Sequence, residues 1–440
     1  MRCGRLVALE GVRVALDPSP RQEGLLLSHA GAARFAFNAG LAHVKEQLEA
    51  RAAAKAAGVP EAELPGVDWS LYTLRRWWNA EKAVLAPWWA ENSKEAYSSG
   101  LDALARALKS WSDSRRGRRR GKHAGFPQFK SRARARAAWA YTTGSFGIAD
   151  RTGVQLPRIG RVHTHEQVQG RIGEDRIVRA TVSRTGGRWF VVFTVERATR
   201  VPIPPSGAPI GVDLGLKTLA VISDGRVIEN PKHLADAQRR LTTASRAYAR
   251  TQPGSSGRRH AADRLAKLHA RVGYLREDAL HKFTTNLACT HGTIVIEDLN
   301  VAGMMKNRSF ARAIADASFG EFRRQLAYKA TKFGSTLVVA DRWMPSSKTC
   351  SNCGTVKTKL SLSERTFRCE HCDLILDRDL NASRNLAHLV TPSVAGSGPE
   401  TVNGGRARQK TQQAGQQATK PQPRTLTGSD VDRQPATATT

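Results

Sequence analysis

No stretch of this 440-residue sequence approaches the ~18 consecutive apolar residues that a membrane-spanning helix needs, which excludes a helical transmembrane segment. The N-terminus, MRCGRLVALEGVRV, also lacks the apolar core of a secretory leader, and the chain is expected to stay in the cytoplasm. Cysteine is scarce: there are six, and four of them (Cys350, Cys353, Cys369, Cys372) sit within 23 residues while Cys3 and Cys289 stand alone. In a reducing compartment that clustering argues against disulfides and for a metal. Acidic residues are few as well. The 38 Asp and Glu face 69 Lys and Arg, a formal net charge of +31 at pH 7. Solubility does not require such an excess, and it implies a polyanionic partner, nucleic acid before all others.

The length exceeds one ordinary core, so several modules are expected. Residues 6–14 (LVALEGVRV) read as a strand ended by the turn PSPRQ. From 21 to 113, apolar residues recur at helical spacing, punctuated by Trp69, Trp77, Trp78, Trp88, Trp89 and Trp111, which are expected to pack a core rather than stack on bases. The segment SRRGRRRGKHAGFPQFKSRARAR (114–136) crowds Lys and Arg among glycines and suits a phosphate-binding loop. Strand grammar returns in 137–200, clearest in RIVRATVSRTGGRWFVVFTVE, a hairpin about Thr185-Gly186-Gly187. With the N-terminal strand, this reads as a small β-barrel interrupted by a helical domain, and VPIPPSGAP as a linker after it. The strand-rich IGVDLGLKTLAVISDGRVIEN, a helical pair over 233–289 broken by TQPGSSG, the strand TIVIEDL, a helix near 319–333 and the strand STLVVADRW then alternate as an α/β sheet. From 391 onward Gln, Thr, Pro and Gly take over, and a disordered tail is expected.

Two constellations carry chemistry. Cys350-Ser-Asn-Cys353 and Cys369-Glu-His-Cys372, fifteen residues apart, have the spacing of two knuckles that give four thiolates to one zinc. All four ligand positions are filled, so this zinc is read as structural. The second constellation is acidic. Asp213 lies in the apolar strand IGVDLGLKTLAV, with Gly215 where a side chain would crowd a ligand; Glu297 is driven into the apolar TIVIEDL; Asp379 opens a helix in DRDLNASRN. A buried, unpaired Glu costs several kcal/mol unless a cation compensates it. Each has a plain alternative, with Asp213 capping a turn, Glu297 pairing with an arginine and Asp379 capping a helix. Together they suit a two-metal phosphodiester hydrolase using Mg²⁺.

The segments GVDLGLKTLAV, IVIEDLNVAGM, FGEFRRQLAYKATKFGSTLVVADRWMPSSKTCSNCG and RTFRCEHCDLILDRDLNASRNL, with weaker likeness in LDPSPRQ, FAFNAGL and GFPQFKSR, resemble the TnpB family of transposon-encoded RNA-guided DNA endonucleases, related to type V CRISPR effectors. The resemblance implies a multidomain α/β chain: an N-terminal β-barrel (wedge) domain over 1–20 and 125–205, interrupted by a helical recognition domain over 21–124. It further implies an RNase H-like (RuvC) nuclease domain over 206–344 and 374–390 and a zinc-ribbon insertion over 345–373. By resemblance, Asp213, Glu297 and Asp379 are the catalytic triad that holds two Mg²⁺; the family's Asp-x-Asn pattern selects Asp379 beside Asn381 over Asp377. The implied partners are a guide RNA from the transposon end and double-stranded target DNA cut beside a short flanking motif, with a monomer favoured and no membrane contact. One position departs from the family, Asp373, where a glycine is usual after the last cysteine. A nuclease-inactive RNA-guided repressor is the alternative, disfavoured by the complete triad, and an end-joining transposase is disfavoured by the ribbon ahead of Asp379.

Overall fold

Alternating residues of β1 (Val7–Asp17) put Val12, Val14 and Leu16 into the core, and the strand pairs antiparallel along its length with β7 (Arg188–Ala198). The computed structural model describes residues 7–198, 202–361 and 363–390; the tail expected at 391–440 lies outside them. Ser19 then caps α1 (Pro20–Ala56) in a reciprocal capping box with Gln22, with Pro20 in the first turn. The helices α2 (Leu71–Leu85) and α3 (Lys94–Arg115) follow, each capped by a serine, Ser70 and Ser93. Glycine sets the closeness of α1 to α3, since a Cβ on Gly100 would lie 2.1 Å from the Ala33 carbonyl oxygen.

The chain returns as β2 (Ala138–Tyr141), β3 (Gly147–Asp150), β4 (Gly153–Leu156), β5 (Gly160–Thr164), the single turn α4 (Gln169–Ile172), β6 (Arg176–Thr185) and β7. The sheet order is β2-β6-β7-β1-β5-β4-β3, so β2 and β3 stand at opposite edges. Only residues 142–146 join them. A flat seven-stranded sheet would hold its edges about 29 Å apart at ~4.8 Å per strand, whereas so short a link spans at most about 21 Å. The sheet therefore curls until its edges approach, and Tyr141 stacks on Phe146 there. The β6–β7 turn is Gly186-Gly187, both with positive φ (58° and 77°), as a two-residue hairpin turn demands. Helices and sheet share one hydrophobic core: Leu26, Phe37, Leu101 and Leu104 are continuous with Trp139, Val182, Trp189 and Phe193.

The second sheet runs β10-β9-β8-β11-β12: β8 (Ile210–Leu214), β9 (Thr218–Ile222) and β10 (Val227–Glu229) form a meander, while β11 (Thr293–Ile296) and β12 (Thr336–Val339) run parallel to β8. Between them lie α5 (His233–Ala249), α6 (Ser256–Thr290), the short α7 (Val301–Met304) and α8 (Ala311–Ala317), and α9 (Phe319–Phe333). On β11, Ile294 and Ile296 pack toward α6 and α9, with Leu287, Phe322 and Leu326. Val295 faces the other way, against Leu386 of α10 (Arg378–His388). The hairpin β13 (Thr366–Arg368) and β14 (Ile375–Asp377) leads directly into α10.

Asp316 of α8 holds this layer together. Its carboxylate accepts hydrogen bonds from the Leu234 and Ala235 amides at the start of α5 and pairs with Arg276 of α6. The helices α7 and α8 carry no strong sequence signal, and nothing in the sequence marks this clasp.

Candidate active site and metal centre

Parity along the strands decides where the acidic residues point. On β8, Ile210 and Val212 pack toward α6 and α9, so Gly211 and Asp213 face α10. A Cβ on Gly211 would sit 1.9 Å from the Ser383 carbonyl oxygen, so only glycine lets α10 lie this close to β8. Val212 of β8 is the register partner of Ile296 of β11. Asp213 and Glu297 are therefore the next residues on neighbouring parallel strands, at their carboxyl ends, and Glu297 continues the parity of Val295 toward the α10 side. In open α/β sheets that end of the strands is where ligands bind.

Asp379 sits in the first turn of α10. The capping role belongs to Asp377, whose side chain accepts from the Asp379 and Leu380 amides. Asp379 thus keeps its carboxylate free of the cap, with Arg378 Nε 3.3 Å away. Burial raises the Asp213 acid well above the ordinary carboxylate range; Glu297 and then Asp379 push it further, Arg378 opposes, and Asp377 adds to the rise. Glu297 accepts a hydrogen bond from Ser346 Oγ at 2.6 Å, and no arginine or lysine pairs with it among the described residues. The arginines go instead to its neighbour: Arg323 and Arg342 both pair with Asp298 and hold that carboxyl below its usual value. Two details correct the sequence reading. Glu297 lies just past its strand rather than within it, and the helix cap is Asp377 rather than Asp379; a side chain at Gly215 would meet the Thr218 carbonyl oxygen at 2.9 Å.

The thiols of Cys350, Cys353, Cys369 and Cys372 converge within 4.8 Å of one another, a grouping that could hold one metal ion. Thr355, through its hydroxyl and its amide, pulls the Cys353 thiol down to about 6, and burial pushes Cys350 up to about 11. The residues that follow the two knuckles are left-handed, Gly354 (φ 76°) and Asp373 (φ 54°). Buried asparagines of α10 join the ribbon to the acidic site. Asn381 accepts from the Ser351 amide and donates to the Thr349 carbonyl, and Asn385 donates to the carbonyls of Thr349 and Ser346. The sequence set Asn381 beside Asp379 without showing this second task.

In the basic segment after α3, residues 116–123 are exposed, and no ion pair involves its Lys or Arg among the described residues. Its second half is pinned rather than loose. Asn38 of α1 donates to the Lys130 carbonyl and accepts from the Lys130 amide, with the Lys130 ammonium 3.6 Å from the centre of the Phe37 ring. No helix among the described residues is long and apolar enough to cross a membrane.

Family models match three parts of the chain: OrfB_IS605, described as "Probable transposase", over 190–308; the Cas12f1-like TNB domain over 319–386; and a helix-turn-helix domain over 8–52. The last stretch is here β1 and most of α1, one strand and one helix. The chain is 37% identical, over 91% of each chain, to the "Putative RNA-guided DNA endonuclease Rv2885c" of Mycobacterium tuberculosis. It is 39% identical to a "Putative RNA-guided DNA endonuclease" of Streptomyces pristinaespiralis, over 69% of this chain and 76% of that one. A Cas12f1–sgRNA–target DNA complex aligns at TM-score 0.45 and 13% identity, covering 87% of this chain and 99% of that one. With that identity across nearly the whole length, and with the sequence motifs set around a mixed α/β core and a four-cysteine cluster, the chain belongs to the TnpB family of endonucleases.

Proposed function

We propose that this chain is an RNA-guided, Mg²⁺-dependent DNA endonuclease of a transposable element, which cuts double-stranded DNA beside a short flanking motif at Asp213, Glu297 and Asp379. The observation that carries the reading is the clustering of like charge on one face of the second sheet. Asp213 and Glu297 end paired parallel strands, Asp379 opens the helix packed on them, and burial together with both partners raises the Asp213 acid. Carboxylates gathered this way repel one another, a cost that a function needing cations repays. The donor set is oxygen only, which suits hard cations such as Mg²⁺. When bound, two such ions supply Lewis-acid activation of water and neutralisation of charge at the scissile phosphate. The protein's own part is positional. Ser346 fixes Glu297 by its hydrogen bond, and Asp377 takes the helix cap so that Asp379 stays available.

The four cysteines hold one structural zinc, which makes the ribbon rigid and, through Asn381 and Asn385, steadies α10. The exposed cations of 116–123 and the charge of +31 serve an RNA and a DNA backbone. In domain terms the curled sheet is the wedge, α1 to α3 the recognition helices, and the second sheet with α10 the RuvC-like nuclease, acting as a monomer. The test is to co-express the protein with the DNA flanking its gene, sequence the bound RNA, and assay cleavage of matching duplex in Mg²⁺ against EDTA. Bound RNA with tight target binding and no cutting would replace the nuclease by a guided repressor.

A further inference from the structure

The sequence holds nine tryptophans, and eight of them have a ring or cation partner, as Trp69 has Trp111 and Trp78 has Tyr97. Trp343 has neither among the described residues, and it is 85% exposed. An isolated exposed apolar side chain is common enough to need no explanation by itself. The loop beneath this one makes the difference.

That loop leaves β12 at Ala340, whose amide bonds to the Ile296 carbonyl, next to Glu297. Arg342 then pairs with the Asp298 side chain and donates to the Asp298 carbonyl at 3.2 Å. Met344 packs with Val295 and Leu386, and Ser346 Oγ bonds to Glu297. Both anchors that flank the indole thus lead to Glu297 or its neighbour. The backbone that carries the ring is anchored by these contacts, so stacking has only the side chain left to order. Lys348 on the same loop and the chain's charge of +31 favour a polyanion, while Arg342 shares the Asp298 carboxylate with Arg323 and the Trp343 amide donates to Asp341 Oδ1 at 2.8 Å. An exposed, unpartnered indole on a loop anchored beside the acidic site matches what binds unpaired nucleic acid, where every base offers a π face.

We propose that Trp343 is a stacking platform for an unpaired nucleobase of the DNA strand whose phosphate lies at the Asp213–Glu297 site. This inference rests on the nuclease reading of that site and adds a positioning residue to it. The side chain seats the strand and takes no part in bond breaking.

The test uses the full-length chain with its co-purified RNA, in an Asp213→Ala background so that the probe is not cut. Binding of a fluorescein-labelled single-stranded DNA 12-mer is compared with that of an equally long oligomer built of abasic residues. Trp343→Ala is expected to weaken binding of the base-bearing probe by about tenfold and to leave the abasic probe unchanged, and Trp343→Phe to retain most of the affinity. Equal weakening of both probes, no weakening of either, or a Phe variant as poor as the Ala variant would overturn the proposal. Cleavage by the chain with Asp213 intact is scored separately. Base-dependent binding through Trp343 without any cutting in Mg²⁺ would sink the nuclease reading and leave the platform standing, and cutting without that base dependence would do the reverse.

Discussion

Asp213 bears an electrostatic cost at the acidic site, and the sign of that cost is testable. Burial, Glu297 and Asp379 raise its acid in the folded state, so ionisation is harder there than in the unfolded chain, whose Asp titrates near 3.9. Its contribution to stability is complete below that value and is lost as pH rises through the raised folded value. At neutral pH in EDTA, Asp213→Asn should therefore melt a few degrees above the wild type, and Mg²⁺ should raise the melting temperature of the wild type much more than that of the variant. A variant less stable than the wild type in EDTA would show that the carboxylate is already compensated within the protein. Asp373 is a second residue with a definite cost. It holds φ 54°, where Gly354 holds φ 76° after the other knuckle. A left-handed non-glycine costs about 1–2 kcal/mol, less for Asp. Asp373→Gly should slow zinc loss to a chelator, read by a colorimetric zinc dye, and an unchanged rate would mean that the turn is unstrained.

Among the elements, β8 and α10 define the site, and Gly211 sets the distance between them. Gly211→Ala would drive a methyl group against the Ser383 carbonyl oxygen, at 1.9 Å in the present structure. Overpacking of this kind costs about 1–3 kcal/mol, and here it would also lift Asp379 away from Asp213. Cleavage should fall more than stability does. Gly320→Ala in α9 meets nothing within 4 Å and should be neutral or stabilising by up to about 1 kcal/mol; denaturant melts of both variants give the comparison. The same elements show what the sequence reveals and what it withholds. The cysteine spacing, the apolar strands around Asp213 and Glu297, the Gly186-Gly187 hairpin and the pair α5–α6 are local signals, carried by period and turn chemistry. Strand ends and partners are tertiary matters. Nothing in DRDLN says that Asp377 takes the cap, and nothing near Glu297 says that the arginines go to Asp298. The Asn38–Lys130 clamp joins two segments, FAFNAGL and GFPQFKSR, that look unrelated until the fold brings them together. Trp343 was equally silent, because exposure has no sequence signature.

At the scale of the molecule, the helices and the curled sheet share one core, so they are poor candidates for independent folding. The β6–β7 hairpin tip also rests on α6, where a Cβ on Gly186 would lie 2.2 Å from that of Ala270. The first sheet is thereby seated on the layer that carries the acidic site, and in the proposed function the exposed cations of 116–123 and the charge of +31 would supply the attraction for nucleic acid. The central claim is that this assembly cuts DNA chosen by a bound RNA, at three carboxylates. The most direct measurement is cleavage of a duplex matching the co-purified RNA, in Mg²⁺, by the wild type and by Asp213→Ala at equal RNA occupancy. The account predicts cutting by the wild type, none in EDTA, and a loss of at least about a thousandfold in the variant with RNA binding intact. Undiminished cutting by Asp213→Ala would contradict it.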